Sequence, residues 1–176
     1  MFINASKGLK TITSAFVCCW ILVAPTSFAE CVDDASSSRF VVQTGGATVR
    51  DAYTGLSWQR CLVGYRWSVG EQSCLLYADE PIRFTWQEAL AFAGDGWRLP
   101  NAKELESIVD RNCFEPALHT GTFPAGDDIM MGAQWTSSQI ESYAGGAWTV
   151  NFKTGSVISS DKSERLPVRL LRDSSL

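Results

Sequence analysis

Few residues of this sequence have the types and spacing that catalysis requires. His119 is the one histidine of the chain, so a histidine base would have to be this residue. It would need an orienting carboxylate, for which Glu115, Asp127 and Asp128 are available. The sequence contains no Gly-x-Ser-x-Gly turn, no His-Glu-x-x-His motif and no glycine-rich loop that could cradle a phosphate. We therefore predict a protein that is not an enzyme, with no catalytic residue and no cofactor.

A metal site has one candidate segment. Asp127 and Asp128 are adjacent, and carboxylate oxygens are ligands that Ca²⁺ prefers. The competing interpretation is a solvated acidic turn, which is the usual state of such residues. The cysteine spacings lack the Cys-x₂-Cys pattern of zinc sites. We expect no resident metal, with Asp127 and Asp128 as the candidates if one binds.

Aromatic side chains offer a different chemistry, the binding of sugar rings. Tyr65 and Trp67 lie between two cysteines, and Tyr143 lies in a second loop region. Flat apolar rings match the C–H faces of a pyranose, although rings beside a disulfide also serve to cover it. Both interpretations stay open for Tyr65 and Trp67. We predict ligand contacts by these three residues, in loops 61–80 and 114–145.

The first 29 residues have the pattern of a secretory signal peptide. Lys7 and Lys10 form a basic flank, residues 11–24 are uncharged and largely apolar, and small residues precede a cleavage site after Ala29. An uncleaved anchor is the alternative, but the apolar run is shorter than the roughly 20 residues of a membrane-spanning helix. We predict a periplasmic, secreted or cell-surface protein that has no membrane span after cleavage.

The charge of the mature chain excludes one class of partner. Cleavage would remove two of 15 basic residues and none of 19 acidic residues, which leaves a net charge of −6. Nucleic-acid binding draws on clustered lysine and arginine, so we predict no nucleic-acid partner. Arg165, Arg169 and Arg172 are close in sequence, but a solvated strand edge is the favoured interpretation of this group.

Four cysteines remain after cleavage: Cys31, Cys61, Cys74 and Cys113. An even number in an exported chain predicts disulfides, with three possible connectivities. Cys61 and Cys74 bracket a short glycine-containing loop, so we expect them to pair, with a stabilisation of about 3 kcal/mol. By elimination, Cys31 would pair with Cys113.

The elements that must position these residues include two short helices. Thr85 and Glu88 form a predicted capping box at the first helix, whose buried stripe is predicted to comprise Trp86, Ala89, Leu90 and Ala93. A second structural motif leads into the next helix. Pro100 keeps Leu99 extended, and Asn101 with Glu104 forms another capping box. Within the motif, Trp97 and Arg98 complete the helix entry, and we expect Arg98 to be a structural clamp that pairs with Asp95, Glu104 or backbone carbonyls.

Alternating apolar residues and turn signals predict a sheet around these helices. Residues 30–48 are interpreted as an N-terminal arm with the first strand, and residues 114–131 as a long loop. The other patterns predict a hairpin at residues 153–155 and five tryptophans in the core. The predicted strands are Phe40–Val42, Leu56–Arg60, Gln134–Ser138, Ala147–Phe152, Ser156–Ile158 and Pro167–Leu171, and the core tryptophans are Trp58, Trp86, Trp97, Trp135 and Trp148.

Several of these segments together carry a family resemblance. Thr-Gly-Leu-x-Trp, Thr-Trp-Gln-Glu-Ala-Leu, Trp-Arg-Leu-Pro-Asn-x-Lys-Glu-Leu, Trp-Thr-Ser-Ser and Ala-Trp-x-Val-Asn-Phe follow one another in this order. In this order they resemble the DUF1566 family, also called the Legionella collagen-like protein C-terminal domain (Lcl_C). The resemblance covers residues 49–172.

The resemblance implies a fold and a class of function. The implied fold is an α+β, C-type-lectin-like domain with two short helices and a twisted, mainly antiparallel sheet. The named member is an adhesin that binds sulfated glycosaminoglycans. Calcium-binding C-type lectins use Glu-Pro-Asn, where this chain has Glu115-Pro116-Ala117, so the third ligand is missing.

Together, these observations predict an exported bacterial recognition domain without catalytic activity. We expect it to bind a surface glycan, or a protein of the bacterial envelope or the host surface, in the manner of an adhesin. The alternative is a structural or assembly component of a bacterial envelope machine that has no small ligand. A large exposed apolar patch would favour this alternative.

Overall fold

Short antiparallel strands account for most of the regular structure. The computed structural model describes residues 38–92, 94–124 and 132–173. The predicted signal peptide and the arm up to residue 37 therefore lie outside the described residues, as do Ala93, Asp127 and Asp128. Among the described residues, no helix has the length and apolar composition needed to cross a bilayer.

Nine strands and two helices are formed in the described ranges. In chain order they are β1 (Phe40–Val42), β2 (Thr48–Asp51), β3 (Leu56–Gln59), β4 (Tyr65–Ser68), β5 (Ser73–Leu76), α1 (Trp86–Ala91), α2 (Ala102–Glu106), β6 (Ala133–Gln139), β7 (Gly146–Asn151), β8 (Ser156–Asp161) and β9 (Leu171–Asp173).

The strands form three antiparallel sheets. The first has the order β1-β2-β3-β9, the second is the β4-β5 hairpin, and the third has the order β6-β7-β8. In the third sheet Gly146 pairs with Asp161 and Trp148 pairs with Ser159. This architecture confirms an α+β fold with mainly antiparallel strands and two short helices.

Strand β7 separates two hydrophobic clusters. Ala147 belongs to a cluster with Trp86 and Trp135, whereas Val150 belongs to a cluster with Trp58. Because side chains alternate along a strand, residues three positions apart point to opposite faces. The three-stranded sheet is therefore covered on both faces around its middle, and α1 and α2 pack against it.

Both predicted capping boxes are confirmed. At α1 the Thr85 hydroxyl accepts a hydrogen bond from the Glu88 amide, and the Glu88 carboxylate accepts one from the Thr85 amide. Asn101 and Glu104 make the same reciprocal pair at α2, with a distance of 2.7 Å from the Asn101 amide to the Glu104 carboxylate. Each helix has only five or six residues, so its caps and packing, rather than propensity, stabilise it.

The closing strand differs from its prediction. The predicted strand at residues 167–171 is wrong in position, since β9 begins only at Leu171. The preceding carbonyls accept hydrogen bonds from three separate places: Pro167 from the amide of Trp135, Val168 from that of Val63 and Leu170 from that of Gln59. A segment shared between several partners forms no continuous ladder.

The prediction that Trp148 lies in the core is also wrong. Its side chain is 37% exposed, whereas Trp58, Trp86 and Trp135 are buried as predicted. Trp97 is half-buried and packs against the second cluster. Ser159, the cross-strand neighbour of Trp148, is exposed as well. The core therefore ends before this end of the sheet, and the ring of Trp148 contacts solvent.

Candidate functional site

A disulfide fixes the hairpin that forms one wall of the candidate site. Cys61 and Cys74 are bonded, which confirms the predicted pairing, and Tyr65 packs beside them in a small buried cluster. The segment between the cysteines is not an irregular loop but carries strands β4 and β5. Cys113 is also disulfide-bonded. Its predicted partner, Cys31, lies outside the described residues, so that pairing stays a prediction.

Beside this hairpin lies a cleft of about 310 Å³, which we call the aromatic cleft. Five aromatic side chains contribute to its lining, together with polar residues of β2, β3 and β4 and with residues 61–64. The aromatic residues are Tyr65, Trp67, Tyr77, Phe92 and Trp97, and the polar residues include Thr48, Gln59 and Arg66.

Trp67 is held in place from two sides. The guanidinium of Arg60 lies 3.8 Å from the centroid of the indole ring. On another side a Cβ atom at Gly46 would lie 2.4 Å from Trp67 Nε1, so only glycine allows this approach. Arg60 is itself buried and donates to the carbonyls of Gly46, Gly121 and Thr122 at 2.7–2.9 Å. The ring position is therefore set before any ligand arrives.

Tyr65 and Trp67 differ in how much of each ring a ligand can reach. Tyr65 is only 9% exposed and packs on the disulfide, which favours the covering interpretation for this residue. Trp67 is half-buried, so part of its ring faces the cleft. Sequence reasoning missed Tyr77 and Phe92, which are about half exposed. One signal was available in the sequence: Phe92 is an aromatic residue outside the predicted buried stripe of α1, which indicates an exposed ring.

The electrostatics of the aromatic cleft contrast with the acidic chain. Among the described residues, its lining contains no Asp or Glu. The Arg66 guanidinium lies 5.3 Å from the ring centroid of Tyr77, and that of Arg172 lies 4.7 Å from the ring centroid of Trp97. Within the described part of the chain neither arginine forms an ion pair. The cleft is thus locally cationic.

The helix-entry motif places Trp97 in the lining of the cleft. Arg98 donates to both carboxylate oxygens of Glu104 at 2.8 Å and to Asp173 at 3.2 Å. The hydrogen bond from Arg98 holds the pKa of Glu104 below its ordinary value, against the opposing effect of burial. The predicted pairing of Arg98 with Glu104 is confirmed, whereas Asp95 is not its partner. The clamp joins α2 to β9 beside Trp97.

Two of the three C-terminal arginines fit the predicted solvated edge, since Arg165 and Arg172 are exposed and Arg172 lies on the edge strand β9, but Arg169 does not. Arg169 is fully buried and donates to the carbonyls of Gln59 and Arg60. Its burial lowers its pKa to about 9. Arg165 instead pairs with Glu88 at the surface. The interpretation is therefore wrong for Arg169, because its guanidinium serves as a donor that ties the irregular closing segment to the end of β3.

Tyr143 lies apart from the other two predicted ligand contacts. It is not in the lining of the aromatic cleft but in the connection between β6 and β7. Its hydroxyl donates to the Asp161 carboxylate at 3.0 Å. This hydrogen bond raises the pKa of Tyr143 above its ordinary value. The structure therefore brings Tyr65 and Trp67 together and separates Tyr143 from them.

The residues considered for catalysis and metal binding form no shared site in the described part of the chain. The His119 Nδ1 accepts a hydrogen bond from the Thr122 amide at 3.0 Å, and Glu115 is exposed, 3.8 Å from Lys153. Among the described residues, no three His, Cys, Asp or Glu side chains converge as metal ligands. Asp127 and Asp128 lie outside these residues, so their candidacy stays a prediction.

Comparison with models of protein families assigns the chain to a family. The family model described as the Lcl C-terminal domain matches residues 47–172, which confirms the family resemblance of the sequence motifs. The matched range includes the whole lining of the aromatic cleft, from Ala47 to Leu170. No curated protein matches the chain.

Proposed function

Because the chain belongs to the Lcl C-terminal domain family, we propose that it is an exported recognition domain without catalytic activity that binds a glycan through the aromatic cleft. Membership of this family indicates a bacterial surface-associated domain. In the proposal the ligand is a glycan of a bacterial envelope or host surface, and binding is adhesin-like. We further propose that the fold is related to that of C-type lectins.

The single observation that carries the proposal is the aromatic lining of the cleft. Its volume of about 310 Å³ falls at the lower end of the roughly 300–1,000 Å³ typical of small-molecule sites. Aromatic rings supply a large apolar contact with little loss of side-chain entropy. Tyr77 and Phe92 expose about half of their surface beside the fixed Trp67. A sugar ring needs such flat faces for its C–H groups.

Polar groups in the same cleft match the hydroxyl groups of a sugar. Thr48 contributes a hydroxyl, Gln59 an amide and Arg66 a guanidinium to the lining. A few polar groups among apolar walls are what fixes the orientation of a bound small molecule. The cationic character of the lining also allows a ligand with acidic groups. In this proposal the aromatic rings supply affinity and these three side chains supply orientation.

Export is supported by the cysteine chemistry. The Cys61–Cys74 bond is of a kind that persists in the periplasm, at cell surfaces or outside the cell, where the environment is oxidising. The predicted signal peptide at residues 1–29 gives a route to that compartment. We propose a periplasmic, secreted or cell-surface location on this basis.

One observation favours a second candidate, a structural component that binds an envelope protein. The β4-β5 hairpin exposes Leu75 and Leu76 on β5, directly before the exposed Tyr77, and it also exposes Val69 at its turn. Exposed apolar groups that are contiguous mark protein contacts in many monomers. In this alternative the hairpin inserts into a partner protein and the cleft holds a side chain of the partner.

A glycan-binding experiment tests the proposal. The exported protein is applied to a panel of neutral, sialylated and sulfated glycans, with calcium and with chelator, at two salt concentrations. We expect at least one glycan to bind, with weaker binding by Trp67→Ala and by Tyr77→Ala. Tyr53→Ala is the matched control, because Tyr53 is a 76% exposed aromatic residue outside the cleft.

The outcomes separate the two candidates. Loss of binding in Tyr77→Ala with normal melting supports the cleft as the site, and this surface residue is a variant that is expected to fold. A well-folded protein that binds no glycan, or equal binding by all variants, contradicts the proposal. Binding that chelator abolishes would assign the contact to a cation site instead.

A further inference from the structure

The ring of Tyr143 is fixed against the backbone of a tight turn. A Cβ atom at Gly146 would lie 2.4 Å from Tyr143 Cδ1, and one at Gly145 would lie 2.9 Å from Cζ. The ring therefore occupies the space that side chains at these two positions would fill. The turn is closed by hydrogen bonds from the Tyr143 amide to the Ile140 carbonyl and from the Gly146 amide to the Tyr143 carbonyl.

The hydroxyl of Tyr143 fixes the remaining rotation. It donates to Asp161 at 3.0 Å, and Asp161 also accepts from the amide and the hydroxyl of Ser163. The Tyr143 side chain is nevertheless 50% exposed. A ring that is held on one side and open on the other is pre-organised for stacking.

A second exposed ring lies on the same face of the sheet. The Cβ direction of Gly146 points at Tyr143, and Trp148 follows Gly146 by two residues on β7, so the two side-chain directions agree. Two residues of a strand span about 7 Å, a spacing on the scale of one sugar residue. Asp161 and Ser159, the partners of Gly146 and Trp148, add a carboxylate and a hydroxyl to this face.

We propose that this face, which we call the sheet platform (Tyr143, Trp148, Ser159 and Asp161), is a second carbohydrate-contact site, for a neutral hexopyranose chain. Ile140 also lies beside Gly146, so the platform combines the two stacking rings with an apolar contact and with the hydrogen-bonding groups of Ser159 and Asp161. The Asp161 carboxylate accepts hydrogen bonds from sugar hydroxyls and repels an anionic ligand. The choice of a glycan rests on the proposed function, but the site does not include the aromatic cleft.

Indole N–H resonances can report on both sites in one titration. The full exported protein, labelled with ¹⁵N, is titrated with maltotetraose, cellotetraose and chitotetraose, and the signals of Trp67, Trp97 and Trp148 are followed. We expect at least one of these sugars to shift the Trp148 signal in a saturable manner. Tyr143→Ala should weaken this binding about tenfold, the usual scale for loss of one aromatic contact. Trp67→Ala should leave it unchanged, and Tyr53→Ala is the control for an exposed ring elsewhere.

The pattern of shifts distinguishes this inference from the proposed function. Shifts at Trp67 and Trp97 without a shift at Trp148 overturn the sheet platform and leave the cleft proposal standing. A sugar-induced shift at Trp148 that requires higher sugar concentrations in Tyr143→Ala supports the platform. This conclusion does not depend on the signals of Trp67 and Trp97. Absence of any shift at Trp148 with all three sugars overturns the inference, and a Trp148 shift that Tyr143→Ala leaves intact does so as well.

Discussion

The aromatic cleft and the sheet platform both present aromatic rings to solvent, but they are built in opposite ways. The cleft is recessed, and its walls come from segments as distant in sequence as Ala47 and Leu170. The platform comes from a continuous stretch between Ile140 and Asp161. The cleft lining contains Arg66 and no carboxylate among the described residues, whereas the platform contains Asp161. Under the two proposals, local charge rather than the net charge of −4 selects the ligand of each region.

Removal of the disulfide should have the largest effect on stability, and its effect on ligand binding should be confined to the cleft. The double variant Cys61→Ala, Cys74→Ala releases the hairpin that carries Tyr65 and Trp67, and in the chain-entropy model it costs about 3 kcal/mol of unfolding free energy. We expect a lower denaturation midpoint and loss of cleft binding, with the Trp148 signal unchanged. Chemical denaturation measures the midpoint, and the indole N–H spectrum reports on cleft binding and on the Trp148 signal. An unchanged midpoint would show that the hairpin is held without its disulfide.

A pair of neighbouring glycines isolates the contact to Trp67. Gly46→Ala places a Cβ against the indole, whereas Gly45→Ala meets nothing within 4 Å, and both glycines have positive φ angles of similar size. Backbone strain therefore nearly cancels between the variants. We expect Gly46→Ala to be less stable than Gly45→Ala by about 1–2 kcal/mol, the scale of overpacking, and to bind the cleft ligand more weakly. Equal stability and affinity of the two variants would contradict a fixed Trp67.

The Arg98 clamp should matter less, because its side chain is 38% exposed. Arg98→Ala removes the paired hydrogen bonds to Glu104 beside Trp97, and we expect a loss of about 1 kcal/mol, between the values for exposed and buried ion pairs. Arg98→Lys keeps the positive charge but cannot donate to both carboxylate oxygens in the same way. Its stability should therefore lie between those of the natural protein and Arg98→Ala. The melting temperatures of the three proteins give the order of their stabilities. Normal melting of Arg98→Ala would show that the clamp is not structural.

The smallest predicted effect is a pH dependence at the same clamp. The pKa of Glu104 is held below its ordinary value, chiefly by the hydrogen bond from Arg98. Its stabilisation is therefore complete above the ordinary carboxylate pKa of about 4.3 and is lost as the pH falls through the lowered value. We expect Glu104→Gln to lose less stability than the natural protein between about pH 5 and 2. If the unfolding free energies of the two proteins fall in parallel as the pH is lowered, the assignment is contradicted.

The sequence predicted the local features of the cleft walls better than the cleft itself. The capping boxes at Thr85 and Asn101 depend on residues three positions apart, so their signals are complete within one turn. The Cys61–Cys74 bond likewise followed from a short separation. By contrast, Tyr77, Phe92 and Trp97 meet only through tertiary packing, which no local pattern encodes.

Two errors show where periodicity and residue type mislead. The alternation on β7 assigns Trp148 to one face correctly, but alternation does not show where along the strand the core ends. Arg169 was assigned to the surface as one of three arginines that are close in sequence and were interpreted as a solvated strand edge. In the fold it is buried, and its guanidinium donates to the carbonyls of Gln59 and Arg60 at the end of β3, a pairing that is visible only in the folded chain.

The central claim is that the aromatic cleft is the recognition site. Its most direct test is the affinity of the best-binding glycan for the natural protein, for Tyr77→Ala and for Tyr53→Ala, measured by calorimetry. The two variants remove exposed tyrosines, one inside the cleft lining and one outside it. We predict about a tenfold loss of affinity for Tyr77→Ala and none for Tyr53→Ala. Equal affinities of all three proteins would contradict the claim.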